Sequence, residues 1–329
     1  MILTDIIVVM YNSHIQYVID LSDKLKNVSP YYGNDNFHYH ISDVHGDIFS
    51  LSSALVKSGF AKCDGHVFVD VRTELEVENV NNQFITAIPN LTVNPNFKGV
   101  WTVGGDLIDR GAYSMECVLI MNRIYKQTRF KMLNFNWLIG NHELLLYQND
   151  FENSYYYGFN APNNLEREYF NLMRNIFIVN LESRAMKTCC YVSVTGRVVS
   201  HAVLTNKVVA NPNLDYEDLC EQLNDAIANV DFTNPLLNDV FATRTLVRKN
   251  DELVEYRKHA LLPQVVGHDG YWDEEYRIIQ QIQKEYPMVI FTDNYQSEGI
   301  RKIKKEKGIS CLFIGKENGI YERRVEKQI

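Results

Sequence analysis

The sequence predicts an α/β domain, and three observations predict it. Short apolar strands recur early in the chain, at residues 37–41, 100–103 and 137–139. Each runs straight into a turn carrying Asp, His or Asn beside Gly. Segments of helical period are interleaved with these strands, the order of an open sheet whose site lies at the carboxyl ends of its strands. With 329 residues, 46% of them hydrophobic, the chain can bury one large core or two smaller ones.

Taken in order, residues 1–36 read as an N-terminal appendage. Ile15, Val18, Ile19, Leu21 and Leu25 share a helical face, and Pro30 and Gly33 mark a loop after it. The strand at 37–41 leads into Ser42-Asp43-Val44-His45-Gly46-Asp47. A helix follows, with Ile48, Leu51, Leu55 and Val56 at helical spacing. Residues 60–98 are less regular and read as an inserted hairpin, with strands at 66–71 and 83–88. The strand at 100–103 runs into Gly104-Gly105-Asp106, and a helix over 114–125 turns Met115, Val118, Leu119 and Ile124 inward. The strand at 137–139 ends on Gly140-Asn141-His142-Glu143. A helix over 165–176, a hairpin turning at Thr195-Gly196, a helix over 215–228 and strands at 264–266, 288–292 and 311–314 complete the reading. No repeat or low-complexity linker divides the chain, so residues 37–329 form one domain.

Composition excludes several classes. A net charge of -8 argues against a general nucleic-acid binder, whose affinity comes from Lys and Arg neutralising phosphates. It leaves room for an anionic substrate, because bound divalent ions override net charge locally. The six cysteines form no CxxC pair, which fits reduced thiols and a cytoplasmic setting, with delivery into a host cell left open. No stretch approaches the roughly 20 apolar residues of a membrane span, so no membrane insertion is expected. Oligomeric state is not legible.

The chemistry concentrates in five short blocks. Asp43 and His45, two residues apart in one turn, can point at one ion. Asp106 could join two ions through its two oxygens. Asn141 offers an amide oxygen, and His201 and His268 offer imidazole nitrogens. This donor set contains no thiolate and suits manganese first, with iron or zinc as alternatives, over calcium or magnesium. Two such ions, about 4 Å apart, clamp attacking and leaving oxygens in phosphoryl displacement and lower the pKa of a shared water. Arg110 could place its planar fork on phosphate oxygens. His142 could act as a general acid, its charged form favoured by Asp109.

Each residue has a plainer reading. Asp43 and His45 could cap the next helix, and Asp106 and Arg110 could form a surface ion pair. His38 and His40 alternate on the strand before the first block and read as packing groups. Tyr155, Tyr156 and Tyr157 read equally as cleft lining or as core. The basic run from Arg301 to Lys307 reads as a solvated face.

The five blocks resemble the phosphoprotein phosphatase family of calcineurin-like metallophosphoesterases. That pattern is Gly-Asp-x-His-Gly, Gly-Asp-x-x-Asp-Arg-Gly, Gly-Asn-His-Glu, a later His and a final Gly-His. The second and third blocks match in full; the first has Ser42 in place of Gly, and His201 lacks the usual following glycines. The bacterial, phage and Shewanella-like branch is nearer than the eukaryotic core enzymes.

The resemblance implies a two-sheet β-sandwich flanked by helices. It implies one ion on Asp43, His45 and Asp106, and a second on Asp106, Asn141, His201 and His268. Arg110 would bind phosphate, with Arg244 as the second phosphate-binding arginine and Arg248 as its runner-up. His142 and Asp109 would form the acid pair. The expected reaction is in-line attack of a metal-bridging hydroxide on a phosphomonoester, with no phosphoenzyme. The expected substrate is a phosphoprotein or phosphopeptide, at Ser/Thr or Tyr. The rivals are a nucleotide hydrolase of the same family and a metal-bound scaffold without activity.

Overall fold

The computed structural model describes residues 2–31, 36–75, 85–147, 163–204, 215–228, 262–267, 289–292 and 309–327. Arg244, Arg248, His268, the tyrosines at 155–157 and the basic run at 301–307 lie outside them.

Two mixed sheets form the centre. The larger contains β1 (His38–Ile41), β4 (Val100–Val103), β5 (Phe135–Leu138), β6 (Met186–Lys187), β11 (Ile309–Gly315) and β12 (Tyr321–Lys327), in the order β12-β11-β1-β4-β5-β6. The smaller runs β10-β9-β8-β7, from β7 (Cys189–Val192), β8 (Arg197–Ser200), β9 (Gln264–Val266) and β10 (Val289–Phe291). β1, β4, β5 and β6 are parallel, as are β8, β9 and β10. All four residues of β1 are buried, His38 and His40 as well as Tyr39 and Ile41, as in a strand covered on both faces. Leu138 of the larger sheet packs with Cys190, Val192, Val199, Val265 and Ile290 of the smaller, which joins the sheets face to face.

Helices cover the larger sheet. α2 (Ile48–Lys57) starts at Asp47, whose carboxylate accepts from Ser50 N at 3.1 Å and from Ser50 Oγ at 2.8 Å. The cap of α2 is therefore Asp47, not Asp43 or His45. The helix expected over 114–125 is α4 (Ser114–Lys131), six residues longer. Its last turns carry Lys126, Gln127, Arg129 and Lys131, so the apolar period fades before the helix ends. Met132, at φ 55°, closes it with Met132 N to Arg129 O and Leu133 N to Thr128 O bonds, a Schellman closure with methionine in the position glycine usually takes. α5 (Asn141–Tyr147) and α6 (Asn163–Glu182) complete this layer, and α7 (Tyr216–Ala228) packs on β7 of the smaller sheet.

The N-terminal helix and the expected insertion pack against each other. β2 (Ala61–Asp70) and β3 (Ile85–Val93) form a separate antiparallel pair, each longer than expected, with short α3 (Val71–Leu75) after β2. α1 (Ile2–Leu25) packs on both strands and sends Val18, Leu21 and Leu25 into the main core. α4 clamps the other side: Gln127 bonds Leu91 O and Val93 N, and Lys131 Nζ donates to Val93 O at 2.6 Å. A lone two-stranded hairpin is marginal in water, and these two helices supply what it lacks. No helix among the described residues is long and apolar enough to cross a membrane.

Candidate active site

The carboxyl ends of β1, β4, β5 and β8 meet at one place. The turn after β1 is laced to the turn after β4 by three backbone bonds: Asp43 N to Gly105 O, 3.1 Å; His45 N to Asp106 O, 2.8 Å; Gly46 N to Leu107 O, 2.7 Å. The chain is bent hard to achieve this. Asp43, His45, Asp106, Asp109 and Arg110 all have φ between 47° and 69°, a region where a side chain costs of order 1 kcal/mol or more. Only two other described non-glycine residues, Met132 and Arg184, share it, so the strain gathers at the blocks.

Asp106 sits at the centre, 2% exposed. Its Oδ2 is 3.5 Å from His45 Nε2 and 3.7 Å from His142 Nε2. Its Oδ1 is 3.4 Å from His201 Nε2 and accepts from His142 N at 3.0 Å. His45 Nδ1 donates to Ile108 O at 3.0 Å, and His201 Nδ1 donates to Gly104 O at 2.9 Å. These bonds place each proton on Nδ1 and leave each Nε2 unprotonated near Asp106, the arrangement that prepares histidine for a metal. Asn141 Oδ1 is 3.0 Å from His201 Nε2.

Two groups of possible ligand atoms lie within 4.8 Å of one another: His45, Asp106 and His142, and Asp43, Asp106 and His201. The expected sets, Asp43, His45 and Asp106 for one ion and Asp106, Asn141, His201 and His268 for the other, likewise share Asp106. The hydroxyl of the preceding Ser42 donates to Asp43 Oδ2. Gly267, after β9, presses on the same two side chains. A Cβ there would strike Ser42 Oγ and Asp43 Oδ2, so only glycine fits. His268 follows it, outside the described residues.

On the His45 side, His142 Nδ1 donates to Asp109 Oδ2 at 2.7 Å. Arg110 Nη1 lies 2.9 Å from His45 Nε2, and Nη2 lies 3.2 Å from His142 Nε2. Burial opposes charge on both imidazoles, yet they are pushed opposite ways. For His45, burial and then the Arg110 charge hold the pKa well below its usual value. For His142, the carboxylates of Asp106 and Asp109 outweigh burial and raise it. Burial in turn raises Asp109, against the pull of His142.

Of the ten residues singled out in the sequence, eight come together here: Asp43, His45, Asp106, Asp109, Arg110, Asn141, His142 and His201. The other two, His268 and Arg244, are outside the described residues. Sequence reasoning gave Glu143 no role. It is fully buried, and its carboxylate accepts four backbone N–H groups across two of the blocks. Burial, then the charge of Asp106, push its carboxyl up to about 7. The signal was present as the last residue of Gly140-Asn141-His142-Glu143, but acceptance by backbone leaves no compositional mark.

Among solved structures, the chain is similar to a protein serine/threonine phosphatase from Saccharomyces cerevisiae with similarity to human PP5. That match has 13% identity, covers 96% of this chain and 89% of that one, and has a TM-score of 0.49. It is also similar to the cold-active protein-tyrosine phosphatase of a psychrophilic Shewanella species, at 18% identity, 91% and 84% coverage, and a TM-score of 0.45. No curated protein gives a significant match. Residues 39–310, most of the chain, match the calcineurin-like phosphoesterase family, and the chain belongs to that family.

Proposed function

We propose that the chain is a dinuclear-metal phosphomonoesterase of the phosphoprotein phosphatase branch, acting on phosphoproteins at Ser/Thr or Tyr. One observation carries the two-ion reading: the two oxygens of Asp106 each face a histidine Nε2, His45 on one side and His201 on the other. A carboxylate so placed can join two cations. The donors fit divalent manganese, iron or zinc, since both imidazoles have their tautomers set for ligation and no thiolate is present. Asp43, His45, Asp106, Asn141, His201 and His268 are the proposed ligands. When bound, the pair supplies an acidified water and neutralises phosphoryl oxygens.

The remaining residues handle the phosphate and the proton. Arg110, with Arg244 as proposed partner, presents a planar cationic fork to the equatorial oxygens. His142 holds a proton for the leaving oxygen. Asp109 on Nδ1 orients the ring, and the two neighbouring carboxylates favour its charged form. Low exposure strengthens the charge contacts among these groups, since Asp106, Asp109, His142 and His201 are all buried. The proposed setting is cytoplasmic, and the proposed partner is the phosphoprotein itself.

The test is turnover with Mn²⁺ on three substrate sets: Ser/Thr phosphopeptides, Tyr phosphopeptides, and nucleotides (dinucleoside polyphosphates and cyclic nucleotides). Cleavage of phosphopeptides supports the proposal. Turnover of nucleotides alone replaces it with a nucleotide hydrolase. Metal uptake with no hydrolysis of any phosphoester replaces it with a scaffold.

A further inference from the structure

Two turns from different strands have to be held in one strained arrangement, and one side chain touches both. Glu143 Oε2 accepts from Asp106 N at 2.9 Å and from Gly140 N at 2.7 Å. Glu143 Oε1 accepts from Leu107 N at 2.7 Å and from Ile108 N at 3.3 Å. Three of these donors follow β4 and one follows β5. None of these four N–H groups is spent within a helix or on a neighbouring strand. Buried and unmatched, each would carry the full cost of its lost hydration.

The packing leaves no substitute for this contact. A Cβ on Gly140 would collide with Asp106 N and Asp106 Oδ1, so the two turns are in direct contact. The consequences reach both halves of the site. At Oε2, Glu143 holds the backbone of Asp106 at its left-handed φ and ties it to Gly140, the residue before Asn141. His142 N then meets Asp106 Oδ1, which orients the shared carboxylate. At Oε1, Glu143 holds Ile108, whose carbonyl accepts from His45 Nδ1 and fixes the tautomer of that ring.

We propose that Glu143 is a positioning residue for the metal pair: through four backbone N–H groups it aligns Asp106 for both ions and sets the His45 ring for one of them. This rests on the two-ion reading above, and it adds an asymmetry. Glutamine at 143 keeps one oxygen and places an NH₂ group against two N–H donors. The oxygen keeps the tighter Asp106 and Gly140 pair. The NH₂ then faces Leu107 and Ile108, so the His45 half loosens first.

The experiment is calorimetric titration of metal-free protein with Mn²⁺, on wild type and Glu143→Gln, alongside thermal unfolding of each. The expected result is two tight sites in wild type and one in Glu143→Gln, the second weakened at least about tenfold, as for other groups that orient metal ligands. Metal-free unfolding temperature should shift by only a few degrees. In activity assays the Mn²⁺ concentration for half-maximal rate should rise by the same factor, with kcat at saturating Mn²⁺ largely recovered. A general structural defect would instead lower kcat and the unfolding temperature without moving the metal dependence.

Two Mn²⁺ ions bound by Glu143→Gln with wild-type affinity would overturn the inference. Should that variant fail to fold, hydrogen exchange in wild type decides. Amides of Asp106, Leu107 and Gly140 as protected as those of β4 support it, and exchange as fast as an exposed loop overturns it. Wild type that binds Mn²⁺ but cleaves no phosphoester sinks the phosphatase reading alone, because the titration needs no substrate. Wild type that takes up no Mn²⁺ sinks both.

Discussion

Two clusters of buried histidines lie within a few residues of each other, and only the second holds an imidazole whose pKa is raised. The first is a seam between the sheets. His38 Nδ1 pairs with the Tyr321 hydroxyl and Nε2 with Thr102 Oγ1 at 3.0 Å, while His40 Nε2 donates to Thr292 Oγ1 at 3.0 Å. Hydroxyls face both rings. Burial drives His38 well below its usual pKa and His40 to about 3, so both stay neutral. The second is the candidate site, where His45, His142 and His201 surround Asp106 and Asp109. Burial is as deep there, yet His142 is raised. Buried histidine by itself is therefore no sign of a site. Carboxylates against the ring and backbone held at positive φ separate the second cluster from the first.

The contrast can be broken at its centre. Asp106→Asn should remove the shared charge and cost roughly 10³-fold or more in rate, on the scale of several kcal/mol of transition-state stabilisation. Metal content, read by elemental analysis, should fall with it. Retention of two ions and of activity would dissolve the distinction between the clusters.

Next in size is His142→Asn, expected to lower kcat about 10²-fold or more with metal content intact. An unchanged rate removes the proton-donor role. Ser42→Ala comes after it. The hydroxyl donates to a buried carboxylate, and loss of a hydrogen bond to a charged group, about 1.5 kcal/mol or more, corresponds to roughly tenfold weaker Mn²⁺ binding. Calorimetry showing no change would mean that the hydroxyl only fills space.

The smallest effect on rate, and the one that isolates the seam, belongs to His40→Gln. In the folded protein His40 binds a proton only near pH 3, while in the unfolded chain it binds one near 6.5. Between those values the unfolded state holds more protons, so folding stability falls as pH drops and is complete above 6.5. His40 alone accounts for about 2 kcal/mol of that loss by pH 5. The variant should flatten the acid limb in denaturant titrations at pH 5 and 7 and leave phosphatase activity near wild type. An unaltered acid limb would show that His40 titrates normally.

Much of the architecture was legible. The strand at 264–266 matches β9, the strand at 100–103 matches β4, and the hairpin turning at Thr195-Gly196 joins β7 to β8. These are short apolar runs bounded by Gly or Pro, where local preference and burial agree. The end of α4 was missed, because its last turns are basic and surface-facing and the methionine that closes it carries no stop signal. The pairing of α1 with the β2–β3 hairpin was missed too, since mutual burial of two segments some 40 residues apart leaves no local pattern.

By itself the sequence determined which residues could do chemistry, and in what order they come. Asp43, His45, Asp106, Asp109, Arg110, Asn141, His142 and His201 stand at strand ends because a ligand-bearing turn after an apolar run is a local signal. Only the tertiary structure decided how they face one another. It set Asp43 beside His201, pushed His45 and His142 to opposite sides of their ordinary pKa, and gathered four backbone N–H groups onto Glu143. Those outcomes depend on distances between turns of different strands and on how deeply each is buried, and neither quantity is carried by any single stretch of chain.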